Sequence, residues 1–312
     1  MSGAESPASA PLSIAAVERD TGLSKDTLRV WERRYGFPQP GRDGFGERVY
    51  GRDQVDKLRV LRRLMDFGHR PGRIVHLPLE ELQRLSREHP GLDDPALEGA
   101  VPREELARLI ALVRAHQVEA LRTGLSQAVL RAGLERFVID VCAPLNRMIG
   151  EAWARGELEI FEEHLYTESM QVVLRNAISS IPQPARRPHV LLTTFPGEGH
   201  GLGLLMAVAV LALDGCRCVS LGTETPVWDI ALAASAQRAD IVALSFSAAL
   251  GAGQVVEGLV ELRAKLAPGI EIWAGGGSPT LRRRPPPQVT VIPDLPAIHD
   301  QLGRWRAHAA AA

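Results

Sequence analysis

Cysteine is scarce in this chain: Cys142, Cys216 and Cys218 are the only three among 312 residues. So few, at irregular spacing, exclude a disulfide framework, and the Cys-Arg-Cys pair lacks the spacing of a metal knuckle. A reducing compartment, the cytoplasm, is the expectation. Long apolar runs are missing as well. No uninterrupted stretch reaches the roughly 20 residues that a membrane-spanning helix needs. The opening "MSGAESPASAPL" has neither the basic nor the apolar part of an export signal, so neither a membrane partner nor export is expected. Charge of one sign is not in excess either. The formal net charge is −1, which argues against a chain that grips polyanions over its whole surface.

What is present changes texture along the chain, and its length suits two or three domains. Residues 1–11 are rich in Ser, Ala and Pro and read as disordered. Residues 12–85 are Arg-rich, and 86–102, "SREHPGLDDPALEGAVP", read as a linker with prolines and acids. Over 103–182 apolar residues recur three and four apart, as in Leu106, Leu109, Ile110 and Val113, which predicts a helical bundle. Over 187–308 short apolar runs such as "VLLTTF", "RCVSLG", "DIVALSFS" and "IEIWAGG" alternate with helical stretches. That alternation predicts a parallel sheet with helices on its faces, a Rossmann-like α/β domain.

The Arg-rich segment predicts a helix from about Ile14, a Thr-Gly-Leu turn, and a second helix capped by Ser24. This is helix-turn-helix spacing. On the second helix Lys25, Arg29, Arg33 and Arg34 can reach phosphates or base edges, and Leu28 and Trp31 supply apolar contacts. The following "GRDGFGERVY" predicts a hairpin wing carrying Arg42 and Arg48. Between Leu12 and Pro78 fourteen Lys/Arg stand against nine Asp/Glu, so the positive charge sits where DNA would be. The bland reading is a small helical interaction domain with solvated arginines. "TLRVWERRYG" followed by "GERVY" and a further helix resembles the MerR family of transcription regulators. The resemblance implies a winged head that binds operator double-stranded DNA as a dimer, and it adds Thr27, Tyr35 and Tyr50 to the DNA-facing set.

In "FPGEGHGLG" His200 stands between Gly199 and Gly201, in a loop at the carboxyl edge of the predicted sheet, where α/β folds bind ligands. Glu198 can orient the imidazole by accepting its second N–H, as around a metal-ligating histidine. A helix-capping histidine in a glycine turn fits the same spacing. "EGHGLG" resembles the cobalamin-binding motif, with Glu198 as the acid, His200 and Gly203, the distant serine segment at Ser245 and Ser247, and the glycines Gly275, Gly276 and Gly277. The resemblance implies His200 as the lower axial ligand of cobalt and a groove for the displaced nucleotide tail. Ser247 departs from the pattern, which has leucine there, and is expected to change the groove lining.

Trp153 is followed, after nine intervening residues, by Glu163 and His164. On one helix Trp153 and His164 would share a face, but Gly156 stands between them. Taken singly, they read as a core tryptophan and a solvated helix end. Together with the DNA-binding head and the cobalamin motif they resemble CarH-type light-sensing repressors, which implies that all three surround the adenosyl group of adenosylcobalamin. It also implies a non-enzymatic regulator that assembles as a dimer or tetramer on its operator in the dark and releases it in light. Ala154 departs from relatives that carry a histidine there as a replacement upper ligand. A light-independent regulator responsive to cobalamin or another tetrapyrrole, and a corrinoid methyl carrier, are the other readings; the carrier has no use for an Arg-rich head.

Overall fold

The computed structural model describes residues 11–66, 68–87, 102–182, 186–283 and 286–311. Residues 1–10, expected to be disordered, and 88–101 of the expected linker lie outside the described residues. Contacts divide the chain into two units.

The head opens with a two-residue strand β1 (Leu12–Ser13), absent from the expectation, that pairs with the wing. Helix α1 (Ile14–Thr21) is capped by Ser13, and α2 (Lys25–Tyr35) by Ser24, whose Oγ accepts the Thr27 N–H at 3.1 Å. Strands β2 (Gly41–Arg42) and β3 (Arg48–Tyr50) form the wing, in sheet order β1-β3-β2, all antiparallel. Helices α3 (Arg52–Asp66), α4 (Pro71–Ile74) and α5 (Leu79–Arg87) close the head, so Ser86 and Arg87, expected in the linker, are helical. Leu28, Trp31, Leu58 and Leu61 are buried together at helical spacing, and they drive this packing.

The second unit, apart from residues 154–157, holds a four-rod bundle and the sheet domain. The rods are α6 (Arg103–Arg114), α7 (Val118–Ala132), a composite third and α10 (Ile160–Ser179). The third runs from α8 (Leu134–Arg136) through a π-helical turn at Phe137–Cys142 into α9 (Ala143–Ala154). The chain breaks at 155–159, around Gly156, so Trp153 and His164 do not share one helix.

The sheet domain alternates β4 (Arg186–Thr193), α11 (Leu202–Leu213), β5 (Cys216–Gly222), α12 (Val227–Ala236), β6 (Ile241–Ser245), α13 (Ala252–Lys265), β7 (Glu271–Gly275), α14 (Pro279–Arg283), β8 (Val289–Ile292) and α15 (Ala297–Ala311). Its strands are all parallel, in the order β5-β4-β6-β7-β8. The strand β8 lies in a short proline-flanked run that sequence patterning passed over. Strand order reverses between β4 and β6, so the loops after these two strands diverge and open a crevice at the carboxyl edge. Helix α11 is apolar on every side, "LGLLMAVAVLAL", because it is covered on both sides. Leu204 to Leu211 join bundle residues such as Phe137 and Met170, and sheet residues such as Leu192, in one core. That shared core fixes the bundle over one face of the sheet.

Candidate functional site

The loop after β4 is held from beneath. Buried Thr194 donates its hydroxyl to the Glu198 carbonyl at 2.6 Å and accepts the Glu224 N–H at 2.8 Å, which ties this loop to the one after β5. The tie sets Glu198, 1% exposed, under His200, 56% exposed by its side chain. Glu198 Oε1 accepts the His200 N–H at 3.1 Å and faces His200 Nδ1 at 2.7 Å. Its Oε2 accepts both the N–H (2.7 Å) and the hydroxyl (2.8 Å) of Ser247, from the loop after β6. Burial pushes the Glu198 carboxyl up, but the hydrogen bonds with His200 and Ser247 outweigh it and hold its pKa below the ordinary value. A buried carboxylate on Nδ1 fixes the imidazole tautomer and makes Nε2 the nitrogen suited to ligation.

Beside this relay a cavity of about 420 Å³ runs between the sheet and the bundle. Gly203, Ser245, Gly275 and Gly276 line it together with apolar Leu192 and Trp273, and Ile139, Pro144 and Arg147 of the bundle form its far wall. Gly276 is required by geometry, and Gly203 leaves little room for a side chain. A Cβ on Gly203 would lie 2.9 Å from the Ser245 hydroxyl, and Gly276, at φ +106°, would bring one to 2.3 Å from the Phe246 carbonyl. A cradle that a methyl group would fill, next to an oriented imidazole, fits a flat aromatic tail hung below a metal macrocycle. Ser247 is absent from the lining. Expected to reshape the groove, it anchors Glu198 instead.

A smaller recess of about 150 Å³ borders the histidine loop at Gly199 and Gly201, and it includes Gln171 and Arg175 of α10 and Thr223 after β5. Sequence reasoning missed these. Gln171 and Arg175 are one helical turn apart, but only the packing of α10 on α11 brings them to the loop.

The bundle triad lies on two elements. Trp153, half-buried against the bundle core, lies in the last turn of α9, and Glu163 and His164 lie in the first turns of α10, across the turn 155–159. Glu163 Oε1 accepts the Thr167 hydroxyl at 2.6 Å and its Oε2 lies 3.8 Å from His164 Nδ1; His164 is exposed. The triad is thus gathered at one end of the bundle.

In the head α2 exposes Asp26, Arg29, Val30, Arg33 and Arg34 on one face. Lys25 is paired with Glu18 at 3.5 Å, and Arg29 with Asp26 at 3.1 Å. Thr27 is partly covered, its hydroxyl 2.8 Å from that of Ser24. Arg42 is exposed on the wing, while Arg48 is a strut whose Nε lies 2.9 Å from Glu32 of α2. Leu28 and Trp31 turn inward, and Tyr35 packs edge-on to Trp31. Tyr50 corrects the expectation. It pairs with Leu12 in β1, is 0% exposed in the core, and burial pushes its phenol pKa up, so its ring is not presented to DNA.

Comparisons with known proteins bear on both regions. Residues 12–78 match the model described as MerR HTH family regulatory protein, and 105–177 and 188–286 each match one described as B12 binding domain. The chain is 31% identical to the HTH-type transcriptional repressor CarH of Myxococcus xanthus, over 82% of this chain and 86% of that protein. The chain belongs to the CarH family. It is 30% identical to the HTH-type transcriptional repressor CarA of the same organism, over 75% of this chain and 76% of that one. Among solved structures, the monomethylamine corrinoid protein of Methanosarcina barkeri superposes with a TM-score of 0.53 at 13% identity, covering 65% of this chain and 99% of that one. That likeness shows the fold of the bundle and sheet domain. Membership makes the chain a MerR-type, cobalamin-responsive transcriptional repressor with a DNA-binding head. No helix among the described residues is long and apolar enough to cross a membrane.

Proposed function

We propose that this repressor is a cytoplasmic light sensor that holds adenosylcobalamin between its bundle and sheet domain and binds operator DNA in the dark, as a dimer or tetramer. The observation that carries the cofactor assignment is the Ser247–Glu198–His200 relay, centred on a buried carboxylate, beside the glycine-floored cavity. In this reading His200 Nε2 would ligate cobalt, and Gly203, Ser245, Gly275 and Gly276 would hold the nucleotide tail. Trp153, Glu163 and His164 pack round the adenosyl group. When bound, adenosylcobalamin supplies a cobalt–carbon bond that light cleaves. The bundle then loses a packing partner, the association between copies weakens, and the head leaves DNA. Thr27, Arg29, Arg33, Arg34 and Arg42 face the duplex, the arginines mainly on phosphate.

A second reading is favoured by one observation, Ala154 beside Trp153: with no histidine there to take the upper face, cobalamin could act as a light-independent effector.

The test compares adenosylcobalamin and methylcobalamin on the full chain, before and after green light, by absorption, size-exclusion chromatography and gel shift. The light sensor assembles with adenosylcobalamin only and shrinks and releases DNA on illumination. Trp153→Ala blunts both responses and keeps cobalamin binding, whereas His200→Ala removes binding. Equal assembly with both cobalamins and no response to light would establish the second reading.

A further inference from the structure

The wing tip is built to present one side chain. Asp43 Oδ1 accepts the N–H groups of Phe45 and Glu47, each at 2.9 Å. The Asp43 carbonyl accepts the Gly46 N–H at 3.0 Å, and Arg42 donates from its guanidinium to the Gly46 carbonyl at 2.6 Å. The backbone of the tip is therefore closed on itself by hydrogen bonds, and the acid of Asp43 is spent on amides. From this fixed turn Phe45 stands out 95% exposed.

A single exposed phenylalanine is ordinary. Its place is what matters. Among the described residues of the head the exposed large hydrophobics are Val30 and Phe45. Val30 lies on α2 between Arg29 and Arg33, and Phe45 lies between Arg42 and Arg48 on the wing. Both apolar groups thus sit on elements with exposed arginines, α2 with Arg29, Arg33 and Arg34 and the wing with Arg42, in a segment with a net positive charge of five. An aromatic ring on a rigid turn, with exposed Arg42 on the same wing, matches the stacked bases and phosphates of a duplex groove.

We propose that Phe45 is an apolar wedge that enters the minor groove of the operator next to the major-groove site of α2 and opens a base step there, with Arg42 on the neighbouring phosphate. The proposal rests on the head's reading as a DNA-binding domain. The unstacking cost is smallest at flexible pyrimidine–purine steps, so the wedge selects sequence at a position that no side chain reads by hydrogen bonds.

The probe is a duplex selected from random-sequence DNA by the unaltered full chain loaded with adenosylcobalamin in the dark, then substituted with 2-aminopurine at successive positions. Binding of the unaltered chain raises fluorescence at one step beyond the site read by α2. Phe45→Ala lowers affinity about tenfold, abolishes that rise and straightens the DNA in a circular-permutation gel, with the salt dependence unchanged. Arg42→Ala keeps the rise and lowers the salt slope by about one. Phe45→Leu retains part of the bend, and the melting temperature of each Phe45 variant is that of the unaltered chain, because the ring has left no core. Equal affinity and fluorescence in Phe45→Ala overturns the proposal. So does an affinity loss with no fluorescent step and a smaller particle without DNA, which assigns Phe45 to contact between copies. A chain that selects no duplex overturns the DNA-binding reading and the wedge with it.

Discussion

Ser247 donates two hydrogen bonds, from its N–H and its hydroxyl, to the one carboxylate oxygen of Glu198 that does not face His200. The loops after β4 and β6, on either side of the point where strand order reverses, are thereby joined through a buried carboxylate. The imidazole is oriented by a residue 47 positions away in sequence, through an intermediary that water does not reach.

Ser247→Ala removes one of those hydrogen bonds and leaves the backbone one. At about 1 kcal/mol for such a bond, cobalamin affinity is expected to fall about fivefold in an equilibrium titration, with the visible spectrum of the bound form kept. Glu198→Ala, which removes the carboxylate from Nδ1, is expected to cost about 10- to 100-fold.

Gly203→Ala tests the cradle. The added methyl group meets the Ser245 hydroxyl at 2.9 Å at the wall of the cavity, so cobalamin binding is expected to weaken while the unliganded protein stays folded. The double variant Gly203→Ala, Ser245→Ala removes the colliding oxygen and is expected to recover part of the affinity, a coupling that a double-mutant cycle measures.

The exposed and the engaged arginines of the head separate by experiment. Arg33→Ala is expected to weaken binding to all duplexes alike and to lower the salt slope by about one, with an unchanged melting temperature. Arg48→Ala, which breaks the strut to Glu32, is expected to lower the melting temperature of the head as well. Titrations at two salt concentrations and a thermal scan decide.

Stability in acid is expected to depend on Asp240. Burial pushes its carboxyl up, but Arg187 and the N–H of His189, at 2.7 Å, outweigh it and hold its pKa below the ordinary 3.8. A folded value below the unfolded one contributes stability that is complete above the ordinary value and lost as pH falls through the folded one. Asp240→Asn is therefore expected to melt at lower temperature than the unaltered chain near neutrality, and the two curves are expected to converge below about pH 3.

The sequence by itself determined the main helices and strands, though not β1 or β8, and the kinds of residue in play. Ser24 and its following arginines, the three- and four-residue spacing over 103–182, and the alternation after 187 specify a helix-turn-helix head, a bundle and a parallel sheet, since capping and periodicity are local properties of the chain. Glu198 and His200, two residues apart, were legible for the same reason. Tertiary structure alone decided which residues meet. Tyr50 looks like a wing residue from its neighbours, yet pairing with Leu12 turns it into the core. Ser247 looks like a change in a groove, yet the path of the loop after β6 sets it on Glu198. Gln171 and Arg175 have no signal in the sequence, because they approach the histidine loop only when α10 lies along α11. Contacts across such distances depend on how apolar faces pack, and a face carries no record in its own sequence of the partner that will cover it.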